Sequence, residues 1–251
     1  MSPTIWTRCA ASCRPRAHAF DCLRLVESQH IIATRKLVDS DAEQALLESL
    51  IALAKPPVPS GLSRLHYLLF TPFRHPPLQN GSRFGRRTEP ALFYGSAEVE
   101  VALAEVAYYR LVFLEGTRAT LPLLQSEHTG FVAKVAAKQF VDLRKPPFAA
   151  FSEAIHSKTD YAPSQQLGGE LRAAGIDAFA YDSARAPGGG TNYGLLAPVF
   201  ASSRPTRFRT WTCSATKDLV EFRERNFLKP RALSFPRAAF LCPKALPSPA
   251  I

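Results

Sequence analysis

The sequence lacks the long apolar segments that mark membrane and secreted proteins. No run approaches the ~18 consecutive apolar residues of a membrane helix, although hydrophobic residues make up 46 % of the chain. Residues 1–20 have no apolar core behind a basic end, so they make a poor secretory signal. They are arginine-rich and free of acids, which a transit peptide would also be. We expect a loose tail or a misplaced start codon there.

Cysteine is scarce and scattered along the chain. The five cysteines show no CxxC pairing and no histidines at zinc-finger distance, so we expect no metal site. An odd and scattered set suits a reducing compartment, and we therefore expect a cytoplasmic protein.

Three common site motifs are also missing. The chain contains no GxSxG nucleophile elbow, no GxxxxGK[ST] phosphate loop and no HExxH metal motif. The glycines 188–190 precede an apparent strand rather than a helix, so they make a poor phosphate cradle. We interpret them as part of a flexible loop.

The charge is strongly positive but unevenly distributed. The net charge is +10, and residues 1–20 contribute three arginines with no acid, whereas residues 204–251 carry ten basic and three acidic residues. Residues 21–203 are therefore neutral. A DNA-binding core more often concentrates its charge on a folded face, so nucleic-acid binding or scaffolding through the basic ends stays an alternative function.

Local patterns predict a mixture of helices and strands without a regular βαβ alternation. Ser40 and Glu43 form a capping box for a helix that ends before Pro56. Ser96 and Ser164 are predicted to cap two further helices, the first running to about residue 110 and the second to Gly175. Strands are predicted at 64–71, 91–96, 176–183 and 194–201, residues 131–143 fit either structure, and the last 24 residues are expected to be irregular.

These patterns favour an α+β fold with a largely antiparallel or split sheet and flanking helices. We divide the chain into an N-terminal tail and helical extension (1–61), a central domain (62–203) and a basic, proline-rich C-terminal extension (204–251).

The stretch from 80 to 110 contains the most distinctive spacing in the chain. Arg83, Tyr94 and Glu105 follow one another at steps of 11 residues. An arginine can grip phosphate oxygens, a tyrosine ring can stack on a base, and a carboxylate can stabilise the positive charge that forms when an N-glycosidic bond breaks. Taken singly, each residue is more often structural, and so are Ser164 and Ser183.

Three segments together resemble the RES domain, a family of toxins from bacterial toxin–antitoxin pairs. They are YLLFTPFRHPPLQNGSRFGRR, ALFYGSAEVEVALAEVAYYR and LRAAGIDAFAYDSARAPGGGTNYG, and the resemblance covers roughly 62–203. It implies an ADP-ribosyltransferase-like fold that uses NAD as substrate, with no metal. It also implies that Arg83 holds the NAD phosphates or ribose, that Tyr94 lies near the nicotinamide, and that Glu105 is the catalytic glutamate.

The resemblance assigns other residues less directly. The family serine is Ser183 or Ser164, and Arg185 is grouped with the substrate-binding residues. Many members carry an arginine after the tyrosine of the first strand, where this chain has Leu68, so Arg74 is expected to take that role. Many members also place a histidine four residues after the glutamate, where this chain has Tyr109, which is expected to line the site.

The function implied is a toxin of a bacterial type II toxin–antitoxin system that cleaves the nicotinamide–ribose bond, as an NAD glycohydrolase or phosphorylase. An ADP-ribosyltransferase with a protein target and a degenerate member that binds NAD without turnover are alternatives. The implied partner is a helix-turn-helix, Xre-like antitoxin in the bacterial cytoplasm, through which alone nucleic acid would be contacted. A homodimer is allowed, and no membrane partner is expected.

Overall fold

The computed structural model of the protein describes residues 3–28, 33–119, 121–226 and 228–247. The strands are β1 (Arg16–Glu27), β2 (Phe93–Ser96), β3 (Leu124–Asp142), β4 (Ala178–Asp182), β5 (Thr191–Leu195), β6 (Thr206–Ala215), β7 (Leu219–Glu224) and β8 (Ala232–Pro236). The α-helices are α1 (Ile5–Cys9), α2 (Asp41–Ala54), α3 (Tyr67–Arg74), α4 (Val99–Gly116), α5 (Ser152–Ile155) and α6 (Ala162–Ala173). Short 3₁₀ turns lie at Ala33–Leu37, Phe148–Phe151 and Arg237–Phe240. None of the described helices is long and apolar enough to cross a membrane.

Strand β3 is the longest element and uses both of its edges. It has 19 residues, and β1 pairs with it antiparallel over residues 128–140. Strand β6 pairs over 124–132 and β4 over 140–142. Since β1 already occupies one edge at residues 128–132 and at 140, β6 and β4 must share the other edge.

This sharing closes part of the sheet on itself. The order β1–β2–β5–β4–β3 returns to β1 through the β1–β3 pairing, so five strands form a ring from which β6, β7 and β8 extend. Between the strands of the described ranges, every pairing is antiparallel except β3–β4. The predicted mixture of helices with a mostly antiparallel sheet is confirmed.

Three apolar clusters stabilise this arrangement. Helix α4 packs with Trp211 and Phe222 of β6 and β7. Helix α6 packs with Phe179 of β4 and with Phe84. The ring strands meet one another and α3 around Phe93. Burying each such large side chain stabilises the fold by about 1.5–3 kcal/mol, so these clusters fix where α4 and α6 lie against the ring.

Several predicted elements are confirmed. Helix α2 begins after Ser40, whose Oγ accepts a hydrogen bond from the backbone N–H of Glu43 at 3.2 Å. Strand β2 lies within the predicted 91–96, and β4 lies within 176–183. Helix α6 ends just before Gly175, which has φ +73°. The ambiguous segment 131–143 is strand, because it forms most of β3.

The strand predicted at 64–71 is wrong. Residues 67–74 form helix α3, with the His66 side chain accepting from the backbone N–H of Leu68. A short apolar run fits a strand and a buried helix equally well. Here Leu68 and Leu69 are buried whereas Tyr67 is 46 % exposed, as expected for a helix with one packed face.

Both chain ends are more regular than predicted. The expected loose tail contains α1, and from residue 16 onwards it forms β1, whose pairing with the distant β3 no local pattern reveals. Part of the expected irregular C-terminal region is β8, an edge strand on β7 that tolerates Pro236 at its end. The sheet therefore joins residues from all three predicted segments.

Three boundaries and caps also differ. Residue Ser96 does not cap the next helix, which begins after Glu98 and runs to Gly116. Residue Ser164 lies in the first turn of α6 rather than at its cap, which is Tyr161. The strand expected at 194–201 ends at Leu195, where the N–H groups of Leu196 and Ala197 both turn to the Asp177 carbonyl.

Helix α6 fixes the turn that carries Arg83. The turn is closed by the N–H of Ser82 donating to the Gly85 carbonyl at 2.7 Å. The Ser164 hydroxyl donates to the carbonyl of Arg83 at 2.6 Å, and Gly168 lies directly under the backbone of Phe84. The position of Arg83 therefore depends on close backbone contact between helix and turn.

We predict that Gly168→Ala destabilises the protein. An added Cβ would lie 1.9 Å from the Phe84 carbonyl oxygen, so the helix and the turn would have to separate. The expected loss is about 1–3 kcal/mol of unfolding free energy, measured by urea denaturation. Gly116→Ala is the matched control, because that helical glycine has no heavy atom within 4 Å of its added Cβ. Equal stability of the two variants would contradict the close packing.

Candidate active site

A cavity of about 300 Å³ lies between β1, β2, α4 and the Arg83 turn. Its charged lining residues are Arg24, Arg83 and Glu105, so cationic groups outnumber the single carboxylate. The other lining residues are Leu23, Leu25, Ser82, Tyr94, Gly95, Ser96, Ala102, Val106, Tyr109, Tyr161, Tyr181 and Asn192. Aromatic rings and arginines around one carboxylate suit an anionic ligand that also carries a planar ring.

Residue Glu105 projects from α4 and is held by two donors from other elements. Its Oε1 accepts from Ser183 Oγ and from Asn192 Nδ2, both at 2.7 Å. Residue Ser183 follows β4, and Asn192 lies on β5. Within the described residues Oε2 accepts no hydrogen bond. The carboxylate is thus fixed through one oxygen, and the other is available to a ligand.

Residue Arg83 is 9 % exposed and is held by the segment before α6. Its Nη1 donates to the Ser157 carbonyl at 2.7 Å and its Nη2 to Tyr161 Oη at 3.3 Å. Its Cζ also lies 4.4 Å from the centre of the Tyr161 ring. The guanidinium is therefore oriented by a carbonyl, a hydroxyl and an aromatic face.

A second buried arginine shares the same tyrosine. Residue Arg185 is 4 % exposed and donates to Tyr161 Oη at 3.2 Å and to the Lys158 carbonyl at 3.1 Å. Its Cζ lies 3.8 Å from the centre of the Tyr108 ring. Among the described residues neither Arg83 nor Arg185 forms an ion pair, and Arg185 Nη1 is buried without a partner. Two buried cations without a paired carboxylate give the region around Tyr161 a positive potential.

The side chain of Tyr94 holds the turn that carries Arg83. Its hydroxyl accepts from the backbone N–H of Phe84 at 3.0 Å and lies 2.9 Å from Ser82 Oγ. Burial raises the pKa of Tyr94 to about 12, so the phenol stays protonated at neutral pH. Its ring meets Tyr181 edge-on at 6.5 Å between centroids. It therefore acts both as a wall of the cavity and as a brace for the turn.

The second arginine of the cavity lining comes from β1. Residue Arg24 donates from Nη1 to the Tyr94 carbonyl at 2.6 Å, and its Cζ lies 4.9 Å from the Phe93 ring centre. Burial lowers the pKa of Arg24, yet a guanidinium remains charged at neutral pH. The site thus combines groups from β1, β2, α4 and β5.

The model of the RES domain family matches residues 58–215, more than half of the chain. The chain belongs to the RES domain family. Among curated proteins no sequence matches the chain. The crystal structure of the M.tuberculosis MbcT-MbcA toxin-antitoxin complex contains a chain that is similar to it at 12 % identity and a TM-score of 0.41, covering 87 % of this chain and 86 % of that one. A likeness this remote carries no inference about activity.

The residues expected from the RES pattern fall into two groups. Arg83, Tyr94, Glu105 and Tyr109 all line the cavity. Of the two candidate serines, Ser183 contacts Glu105, whereas Ser164 binds the Arg83 carbonyl from outside the cavity.

Two other RES-pattern expectations lie away from the cavity lining. Residue Arg74 ends α3, and its Nε donates to the Pro56 carbonyl. Residue Arg185 lies behind Tyr161. The first strand of the sheet is β1 rather than the segment around Tyr67, and it supplies Arg24 instead.

Arg24, Tyr161 and Asn192 also line the cavity but were not predicted from the sequence. A signal for Arg24 existed: an arginine between two leucines in an alternating segment, DCLRLVE, which suits a half-buried strand. Nothing local marks Tyr161 or Asn192, because their roles depend on contacts with Arg83 and Glu105 far along the chain. No cluster of three or more metal-ligating side chains occurs in the described ranges.

We predict that Tyr94→Phe destabilises the protein by about 1–3 kcal/mol, because the N–H of Phe84 would lose its acceptor. The measurement is the midpoint of urea unfolding. Tyr193→Phe is the control on the neighbouring strand, since within the described residues the Tyr193 hydroxyl forms no hydrogen bond. A Tyr94→Phe variant as stable as wild type would show that the hydroxyl does not hold the turn.

Proposed function

We propose that the protein cleaves the nicotinamide–ribose bond of NAD and acts as a toxin of a type II toxin–antitoxin system. The observation that carries this proposal is the position of Glu105, fixed by Ser183 and Asn192 at a cavity that also contains Arg24 and Arg83. Membership in the RES domain family supports the same conclusion.

The chemistry of N-glycoside cleavage fits this arrangement. As nicotinamide leaves, positive charge develops on the ribose, and a carboxylate beside the sugar stabilises it. The free Oε2 of Glu105 is the group we assign to that role. The rings of Tyr94 and Tyr181 would flank the nicotinamide, and the arginines would bind the phosphates.

The size of the cavity sets how much of NAD it encloses. A volume of about 300 Å³ lies at the lower end for ligand pockets, which run from roughly 300 to 1,000 Å³. We propose that the nicotinamide riboside half is enclosed and that the adenosine half extends outward, in an ADP-ribosyltransferase-like manner.

The acceptor of the ADP-ribose is water, phosphate or a protein side chain. Residue Tyr109 stands where the family more often has histidine and is 55 % exposed at the cavity rim, so an acceptor from solvent reaches this edge. Product analysis separates the three: free ADP-ribose, its phosphate ester, or a labelled protein.

We also propose a helix-turn-helix antitoxin as the partner, in the bacterial cytoplasm, on the basis of the family. Growth arrest on expression, relieved by co-expression of the neighbouring antitoxin gene, tests this part. Growth arrest that survives Glu105→Gln but is lost when the exposed Lys217, Arg223 and Lys229 are neutralised would instead support the nucleic-acid alternative.

We predict that Glu105→Gln abolishes nicotinamide release from NAD by the purified protein, lowering the rate by about 10³-fold or more. The neutral amide keeps the shape of the side chain but cannot balance the charge on the ribose. Glu100→Gln on the same helix is the control, because Glu100 is exposed and outside the cavity. No nicotinamide from wild type, with or without phosphate, and no labelled protein would refute the proposal.

We predict that Arg24→Lys lowers kcat/KM for NAD by about 10- to 100-fold, as expected when a charge-assisted hydrogen bond is lost. Arg74→Lys should change it little, because Arg74 lies outside the cavity lining and bonds Pro56. If kcat/KM fell further in Arg74→Lys than in Arg24→Lys, then Arg74 and not Arg24 would be the arginine that binds NAD together with Arg83.

A further inference from the structure

Residue Asn192 connects Glu105 to a buried serine on the opposite side. Its Nδ2 donates to Glu105 Oε1 at 2.7 Å, and its Oδ1 accepts from Ser96 Oγ at 2.6 Å. Asn192 is 2 % exposed and Ser96 3 %. The three side chains form a continuous hydrogen-bonded row from β2 through β5 to α4.

The register of the sheet creates this row. Residues Ser96 and Asn192 face each other directly across the antiparallel β2–β5 pair, so their side chains share one face at close range. The neighbouring α4 brings Glu105 to the same face. The contact is therefore built by the ring of strands and does not depend on a loop.

The Glu105 carboxylate determines which way the amide of Asn192 points, because a carboxylate only accepts whereas a serine hydroxyl can donate or accept. The amide oxygen of Asn192 lies toward Ser96 and its NH₂ group toward Glu105. In the reversed orientation the amide oxygen would face the carboxylate oxygen at 2.7 Å, and two acceptors would repel. The Ser96 hydroxyl supports this orientation by donating to the amide oxygen, which would otherwise be buried without a partner.

We infer that Asn192 is a positioning residue for Glu105 and that Ser96 acts through it; this inference rests on the proposed cleavage of NAD. Together with Ser183, Asn192 occupies Oε1 and turns Oε2 toward the cavity. An amide donor does this without adding a charge beside the carboxylate. The row thereby orients the group that stabilises the developing charge on the ribose.

The decisive experiment is the steady-state kinetics of nicotinamide release by Asn192→Ala. Loss of an orienting partner should lower kcat by about 10- to 100-fold while KM changes little, because Asn192 acts on the transition state through Glu105. Asn226→Ala, an exposed asparagine after β7, is the control and should match wild type. An unchanged kcat, or a raised KM with kcat intact, would overturn the inference.

Two further variants separate positioning from simple packing. Asn192→Asp keeps the size of the side chain but places a second carboxyl group against Glu105, so the acid limb of the pH–rate profile should move to higher pH. Ser96→Ala should lower kcat less than Asn192→Ala, and the double variant should be no slower than Asn192→Ala alone. An unchanged pH–rate profile in Asn192→Asp, or additive losses of kcat in the double variant, would contradict a positioning role for the hydrogen-bonded row.

Unfolding measurements keep this inference distinct from the proposed function. The destabilisation in Asn192→Ala combined with Glu105→Ala should be smaller than the sum of the two single effects, because the residues are in contact. Non-additive unfolding without turnover by wild type would refute NAD cleavage and leave the contact intact. Additive unfolding would overturn the role of Asn192 whatever the activity.

Discussion

The double use of β3 is the constraint on which the site depends. Because β1 occupies one edge and β6 and β4 share the other, the sheet must divide, and one part closes into a ring. Closure brings β1, β2 and β5 side by side although they are distant in sequence. Arg24, Tyr94 and Asn192 therefore belong to three adjacent strands, and no flexible loop is needed to gather them.

Helix α4 completes the site because one of its faces packs in the apolar core and another lines the cavity. Most of its residues from Val99 to Leu114 are buried against β6, β7 and neighbouring elements, so the helix cannot rotate without losing apolar contact. Glu105 lies where this helix faces the cavity, together with Ala102, Val106 and Tyr109. Its charge is offset locally by the hydroxyl of Ser183 and the amide of Asn192 rather than by a salt bridge, so a carboxylate oxygen stays available.

The sequence supports prediction where the signal is local. Arg83, Tyr94 and Glu105 lie on three consecutive elements, so their spacing and the family resemblance predict them together, and all three line one cavity. The places of Arg24 and Asn192 in the cavity lining cannot be found this way, because the first needs the β1–β3 pairing and the second the β2–β5 register. Local ambiguity explains the other errors: a short apolar run became α3, and Ser96, which suits a helix cap, is turned inward to Asn192.

Stability and the proposed function compete at the pair of buried arginines, Arg83 and Arg185. Arg83 and Arg185 are buried, share one acceptor in Tyr161 Oη, and form no ion pair within the described residues. A fold selected for stability alone would place a carboxylate between them, since an unpaired buried charge is costly. Carbonyls of the segment before α6 satisfy part of this demand. The charge that stays unpaired suits the proposed substrate, whose phosphates would supply the negative charge that the protein leaves out.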